Sequence, residues 1–330
     1  MGGNLFKLGR LPRADYLALE AELRVYLDER FGDLYRIPRY YGDKPDFGDV
    51  DIVLSSAAMQ ADKPGWDALK QGLMDDLGIT RHTSTGAVFS TVWRDFQVDY
   101  FVRDERFFLS TYRFLCYNDL GNLLGRIFRR MNLKYGERGL EYVFRRGGEG
   151  SYKKVLPVSL DMPRILALIE LDYATWDAGF ADLDAMYRWV VASPWFSPEP
   201  YLSPSSAMRS RAKSRPTMQK FLVWLAENPA PEGGRSLEHR GDALPMIDAA
   251  FPEAKLLEAI AGEKAREARA EKVRERFSGK RVMAMFPELR GAELGEFIRT
   301  FKDGFTDFEA TIAAMTPEAV DDAVRAHRGR

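Results

Sequence analysis

The residues best suited to chemistry in this chain are acidic, and they lie in the run Gly48-Asp49-Val50-Asp51-Ile52-Val53-Leu54. In a strand, successive side chains point to opposite faces, so Asp49 and Asp51 share one face and Val50 takes the other. Two like charges this close repel, and the pair is costly unless a cation neutralises it. Hard divalent cations such as Mg²⁺ prefer oxygen donors of this kind. Gly48, just ahead of the pair, lets a ligand or another backbone approach closely. Asp99 is the natural third partner. It lies in a segment where Phe96, Val98, Tyr100 and Val102 face one way and Gln97 and Asp99 the other. Three carboxylates from two neighbouring strands can hold two Mg²⁺ ions about 3.5–4 Å apart. Such a pair activates a hydroxyl nucleophile, aligns a triphosphate and stabilises departing pyrophosphate. Acidic pairs near strand ends also occur on plain solvated surfaces. The apolar run after Asp51 and the downstream aspartate are what favour the metal reading here.

Other chemistries are poorly supplied. Cys116 is the only cysteine, which excludes a disulfide framework, Cys-x-x-Cys zinc sites and a two-cysteine redox motif. His82, His239 and His327 are the only histidines and lie far apart, so a histidine-rich metal cluster is excluded and a histidine-based triad is disfavoured. The chain has 330 residues, 45% hydrophobic and 29% charged, which fits a folded protein of about two domains with an ample core. No run of about 18 apolar residues occurs, so no membrane association is expected. The start MGGNLFKLGR lacks the apolar core of a signal peptide, and Phe6 breaks the myristoylation pattern. With the sparse cysteine usage, these features predict a cytoplasmic protein.

The acids need elements to position them. Residues 13–32 carry apolar residues at helical spacing (Tyr16, Leu19, Leu23, Leu27) and stop at Gly32. Residues 49–54 read as a strand and 66–77 as a helix ending at Gly78. Residues 87–102 read as two strands around a turn near Arg94-Asp95. From about 105 the pattern turns helical, with one more strand at 140–144 and two helical patterns across 162–192. The Pro/Ser-rich stretch 193–206 reads as a linker, 207–227 as a basic helix and 243–330 as all-helical. The predicted organisation is a core over 1–150, a helical extension with linker over 151–206, and a partly basic helical domain over 207–330.

The run GDVDIVLSS at 48–56 resembles the signature of the nucleotidyltransferase superfamily that contains DNA polymerase beta and the other family X polymerases. The resemblance covers roughly 36–146. It implies an α/β (α+β) palm with a short mixed sheet, followed here by a helical C-terminal region. It implies Asp49, Asp51 and Asp99 as ligands of two Mg²⁺ ions, with Mn²⁺ as a substitute, and Asp99 as acceptor of the 3′-hydroxyl proton. Where the family has Gly-Ser, this chain has Gly42-Asp43. Asp43 would repel a triphosphate, so Arg39 and Lys44 are the phosphate candidates, beside Gly42 and Gly48 in the nucleotide site. The segment FLCYNDLGNLLGR at 114–126 is similar to the family stretch in which an asparagine and an arginine one helical turn apart face the nucleotide. The matching residues are Asn122 and Arg126, which share a helix face at i,i+4.

Two basic clusters suggest a nucleic-acid acceptor. Arg126, Arg129, Arg130, Lys134, Arg138, Arg145 and Arg146 are interleaved with Phe128, Tyr135, Tyr142 and Phe144. Arg209, Arg211, Lys213, Arg215 and Lys220 form the second cluster. Cations for phosphates and rings for base stacking are what a nucleic-acid groove needs. The formal net charge of −1 equally permits an ordinary cationic surface balanced elsewhere. The leading expectation is therefore nucleotide transfer from a nucleoside triphosphate to the 3′ end of DNA or RNA. The alternatives are a terminal RNA or tRNA nucleotidyltransferase, nucleotidylation of a protein or small molecule, and a non-catalytic nucleic-acid-binding protein.

Overall fold

The computed structural model describes residues 5–59, 65–145, 153–202, 215–228 and 234–329. Its centre is a five-stranded sheet in the order β2-β4-β7-β6-β5. The strands are β2 (Tyr35–Arg36), β4 (Asp49–Ser55), β5 (His82–Thr85), β6 (Val88–Trp93) and β7 (Phe96–Arg103); β1 (Leu11–Pro12) and β3 (Asp46–Phe47) form a separate short pair. Only β4 and β7 run parallel; every other pairing in the sheet is antiparallel.

Local chemistry accounts for these elements. Helix α1 (Arg13–Phe31) repeats leucine at i,i+4 with Leu19, Leu23 and Leu27, and that row is buried. Helix α2 (Trp66–Leu77) stops at Gly78, whose φ of 63° is the left-handed cap that glycine adopts without strain. Between β6 and β7, Arg94 and Asp95 both take positive φ (49° and 56°), the geometry of a two-residue turn whose twist matches the strands it joins. Alternation does the rest. Val50, Ile52, Leu54, Val98 and Tyr100 face a core that includes Leu23 and Leu27 of α1 and Leu69 and Leu73 of α2. The opposite face of the same strands carries Asp49, Asp51, Gln97 and Asp99.

Helices α3 (Glu105–Leu115) and α4 (Leu120–Arg129) follow, broken apart at Tyr117 and Asn118, which both have positive φ. A three-stranded antiparallel sheet comes next, in the order β10-β9-β8: β8 (Leu133–Gly136), β9 (Gly139–Arg145) and β10 (Lys153–Ser159). The expected strand at 140–144 is β9; its two partners were not foreseen.

Three expectations are revised. Residues 162–192 hold three helices, α5 (Met162–Leu168), α6 (Tyr173–Ala178) and α7 (Leu183–Val191). Glu170 and Gly179, with φ of 57° and 94°, divide them, and Asp172 and Asp182 cap the new starts. The supposed linker is packed over its described part, 193–202: Trp195, Phe196 and Tyr201 are buried, and the Tyr201 hydroxyl donates to Leu123 O at 2.8 Å. The basic helix runs over Pro216–Glu227, so Arg215 stands at its edge, and Arg209, Arg211 and Lys213 lie outside the described residues. The chain divides into two compact units, Met1–Ala254 and Lys255–Arg330. Residues 216–227 stay with the first unit because Phe221 packs edge-to-face against Tyr187, Phe196 and Tyr201.

The second unit is helical, as expected, with helices over Leu256–Arg276, Gly279–Met285, Gly291–Asp303, Phe308–Ala314 and Pro317–Arg328. It closes on its own core, in which Phe277, Val282, Phe297, Phe301, Ile312, Val320 and Val324 are buried. No helix among the described residues is long and apolar enough to cross a membrane.

Candidate metal centre

The parallel pairing of β4 and β7 places Asp51 directly across from Asp99, and Asp49 across from Gln97. Asp49, Asp51 and Asp99 each offer a carboxylate oxygen, and these oxygens all lie within 4.8 Å of one another. The three residues expected to meet do meet.

Their surroundings are crowded with negative charge: Asp99 is buried, and Asp49 and Asp51 are partly buried. Asp99 is 7% exposed; its Oδ2 accepts from Gln97 Nε2 at 2.9 Å, while its Oδ1 is buried without a direct hydrogen-bond partner among the described residues. An orphaned buried carboxylate oxygen is expensive unless something positive satisfies it. Gln97 is itself buried, and its Oε1 accepts from the Leu5 backbone N–H at 3.2 Å, which fixes which end of the amide faces Asp99. Burial first, then repulsion from Asp49 and Asp99, holds the Asp51 carboxyl well above the ordinary carboxylate range. Burial also raises Asp99, against hydrogen bonds from Ser90 and Gln97 that pull it down. The donor set is all oxygen, anionic and convergent, and it fits a hard divalent cation.

One cation already faces the cluster. Lys44 lies 4.2 Å from the centre of the Phe47 ring, with its Nζ 3.5 Å from Asn118 Oδ1. Burial lowers its pKa to about 8, opposed by the attraction of Asp49 and Asp51. Lys44 thus lies near enough to Asp49 and Asp51 to feel their charge. Asn118, which the sequence did not single out, joins it from the break between α3 and α4.

The other expected nucleotide contacts lie in different surroundings. Arg39 sits over the rings of Tyr117 and Trp176 at 5.4 and 5.9 Å and donates through Nη2 to Asp177 O at 2.6 Å. Its guanidinium also pairs with the Asp177 carboxylate at 3.5 Å, which ties it to the helical layer. Gly42 is a close-approach residue: its N–H donates to Phe180 O at 2.8 Å, and a Cβ there would stand 2.7 Å from Ala181 O. Gly48 is buried at the bend that leads into β4.

Asn122 and Arg126 do share a face of α4, but their polar ends are used within the chain. Asn122 Nδ2 donates to Asp119 Oδ1 at 3.3 Å, and Arg126 Nη1 donates to Pro200 O at 2.8 Å over the Tyr201 ring. Arg130 donates to Trp195 O at 2.9 Å, Lys134 pairs with Glu141 at 2.6 Å, and Arg215 pairs with Asp119 at 2.7 Å. Arg129 is exposed.

A comparison with models of known protein families finds none that matches, and a comparison with curated proteins likewise finds no match.

Proposed function

We propose that this protein is a metal-dependent nucleotidyltransferase and that the sheet carrying β4 and β7 is its palm. The reading rests above all on the convergence of the Asp49, Asp51 and Asp99 carboxylates, with Asp99 buried among them. Asp49 and Asp51 would hold both Mg²⁺ ions, and Asp99 would share the one nearer the acceptor. When bound, the ions supply charge neutralisation and an acidified acceptor hydroxyl.

The chain's own residues do the remaining work. Lys44 binds a phosphate oxygen of the nucleoside triphosphate. Asp99, its carboxylate oriented by Gln97, takes the proton of the acceptor hydroxyl. The acceptor oxygen bonds to the α-phosphorus, the bond from that phosphorus to the bridging oxygen breaks, and pyrophosphate leaves. The acceptor favoured by the basic clusters is a nucleic-acid 3′ end.

The test is transfer of label from α-labelled ribo- and deoxyribonucleoside triphosphates in Mg²⁺. DNA primer-template, single-stranded DNA, tRNA and no added acceptor form separate arms. Label in a nucleic-acid arm is the expected result. Extension of tRNA alone would replace the polymerase reading with a terminal RNA nucleotidyltransferase. Label on the protein or on a small molecule would move the acceptor. Asp49→Asn and Asp51→Asn are each expected to lower the rate by at least about a thousandfold, or about 4 kcal/mol of barrier. An unchanged rate in either variant would end the metal assignment.

A further inference from the structure

A cavity of about 540 Å³ opens between α4, the β8–β9 hairpin and the start of the helix Pro216–Glu227. Its size is in the range of ligand sites. None of Asp49, Asp51, Asp99 or Lys44 lines it.

The charge of its wall is one-sided. Arg126 and Arg129 come from α4, and Lys134, Arg138 and Arg145 from the hairpin. Arg215 and Arg240 arrive from much later in the chain. Among the described lining residues Glu137 is the one acid, and its carboxylate is already paired with Arg103 at 2.7 Å. Arg126 is 8% exposed and turned to a backbone carbonyl, so it contributes a fixed charge rather than a contact. Lys134 and Arg215 are held by Glu141 and Asp119. Arg138, Arg145 and Arg240 are exposed at the rim.

The floor differs from the rim. Gly121 and Gly125 stand one turn apart on α4. Phe114 packs directly on Gly121, where a Cβ would stand 2.5 Å from Phe114 O, whereas a Cβ at Gly125 would have only Tyr135 O nearby, at 3.8 Å. The missing side chain at Gly125 leaves room in the floor. Phe114, Leu133 and Met218 give it apolar walls.

We propose that this cleft binds a segment of single-stranded nucleic acid. Cations spread over separate elements match phosphates spaced along a strand better than one compact polyphosphate. Apolar and aromatic walls beside a basic rim suit unpaired bases. In naming the acceptor class this rests on the nucleotidyl-transfer reading. Binding itself is measured without metal or nucleotide, so the two can fail separately.

The experiment is fluorescence anisotropy of the full chain with short labelled oligo(dT) and oligo(U), in EDTA, across a series of salt concentrations. With about three phosphates engaged, log K should fall against log salt with a slope of about −2. Replacing Arg145→Glu together with Arg240→Glu should weaken binding by about tenfold or more. The exposed pair Arg269→Glu with Lys272→Glu, on the helix Leu256–Arg276, makes the same charge change elsewhere and should alter binding less than about twofold. Arg145→Ala with Arg240→Ala, checked by an unchanged thermal midpoint, guards against loss through misfolding. Equal losses in the rim pair and the control pair would overturn the proposal, as would no loss in either. Binding of duplex only, or displacement by tripolyphosphate as effective per charge as by the oligonucleotide, would overturn it too. Asp49→Asn should bind like the unaltered chain. If it does, and no arm of the transfer assay shows turnover, the cleft stands and the transfer reading falls.

Discussion

At the scale of single residues, the chain holds an arrangement that is unfavourable by itself. Asp51 and Asp99 face each other across a strand pair, both with raised carboxyl pKa, so the folded chain holds protons that the unfolded chain has released. Stability contributed by this pair must therefore fall as pH rises from the ordinary carboxylate range through the raised values. A bound cation reverses that, because it stabilises the ionised folded state by mass action. In EDTA, Asp51→Asn should have a higher thermal midpoint than the unaltered chain, by a gap that widens from acid to neutral pH. One kcal/mol corresponds to about 2–4 °C at this size. Saturating Mg²⁺ should raise the midpoint of the unaltered chain and leave that of Asp51→Asn nearly still. A midpoint that ignores both Mg²⁺ and the substitution would mean that the carboxylates are merely close. All three aspartates were legible in the sequence because strand alternation is a local rule and charged residues inside an apolar run stand out. Gln97 was visible on the same face, yet its role was not: only the neighbouring Leu5 backbone fixes its amide.

At the scale of elements, the loop that carries Lys44 is held by backbone contacts with the segment around Phe180 and Ala181. Gly42 and Asp43 both donate there, and Gly42 has no room for a side chain. Gly42→Ala should cost about 1–3 kcal/mol through overpacking. It should also shift Lys44 away from the carboxylates. The expected readout is a lowered denaturation midpoint together with a raised KM for the nucleotide, since a purely structural defect would lower the amount of active protein without changing KM. This contact gives Gly42 a packing role that its place in the motif does not show. Its partner comes from far along the chain, beyond the reach of motif spacing. The same holds for Arg39, which finds Asp177, and for the basic cleft, to which Arg240 comes from far along the chain. Strand β10 was missed for another reason. It is an edge strand with Pro157 at a register shift, a composition that argues against a strand when taken alone.

At the scale of the whole molecule, the two compact units each close on a separate core. Calorimetry of the full chain should therefore resolve two unfolding transitions. Phe301→Ala, at a position 2% exposed in the second core, should lower one of them by about 3–5 kcal/mol and leave the other in place. A single merged transition that moves as a whole would contradict this. The division of aromatic residues adds a practical consequence. All six tryptophans fall between Trp66 and Trp224, and the segment 255–330 contains neither tryptophan nor tyrosine. Intrinsic emission excited in the near ultraviolet is thus blind to the C-terminal helices, whereas far-ultraviolet dichroism registers every helix. Recorded on one sample, the two optical signals separate the melting of each half without a label, and a dye placed in the dark half would need no correction for native light.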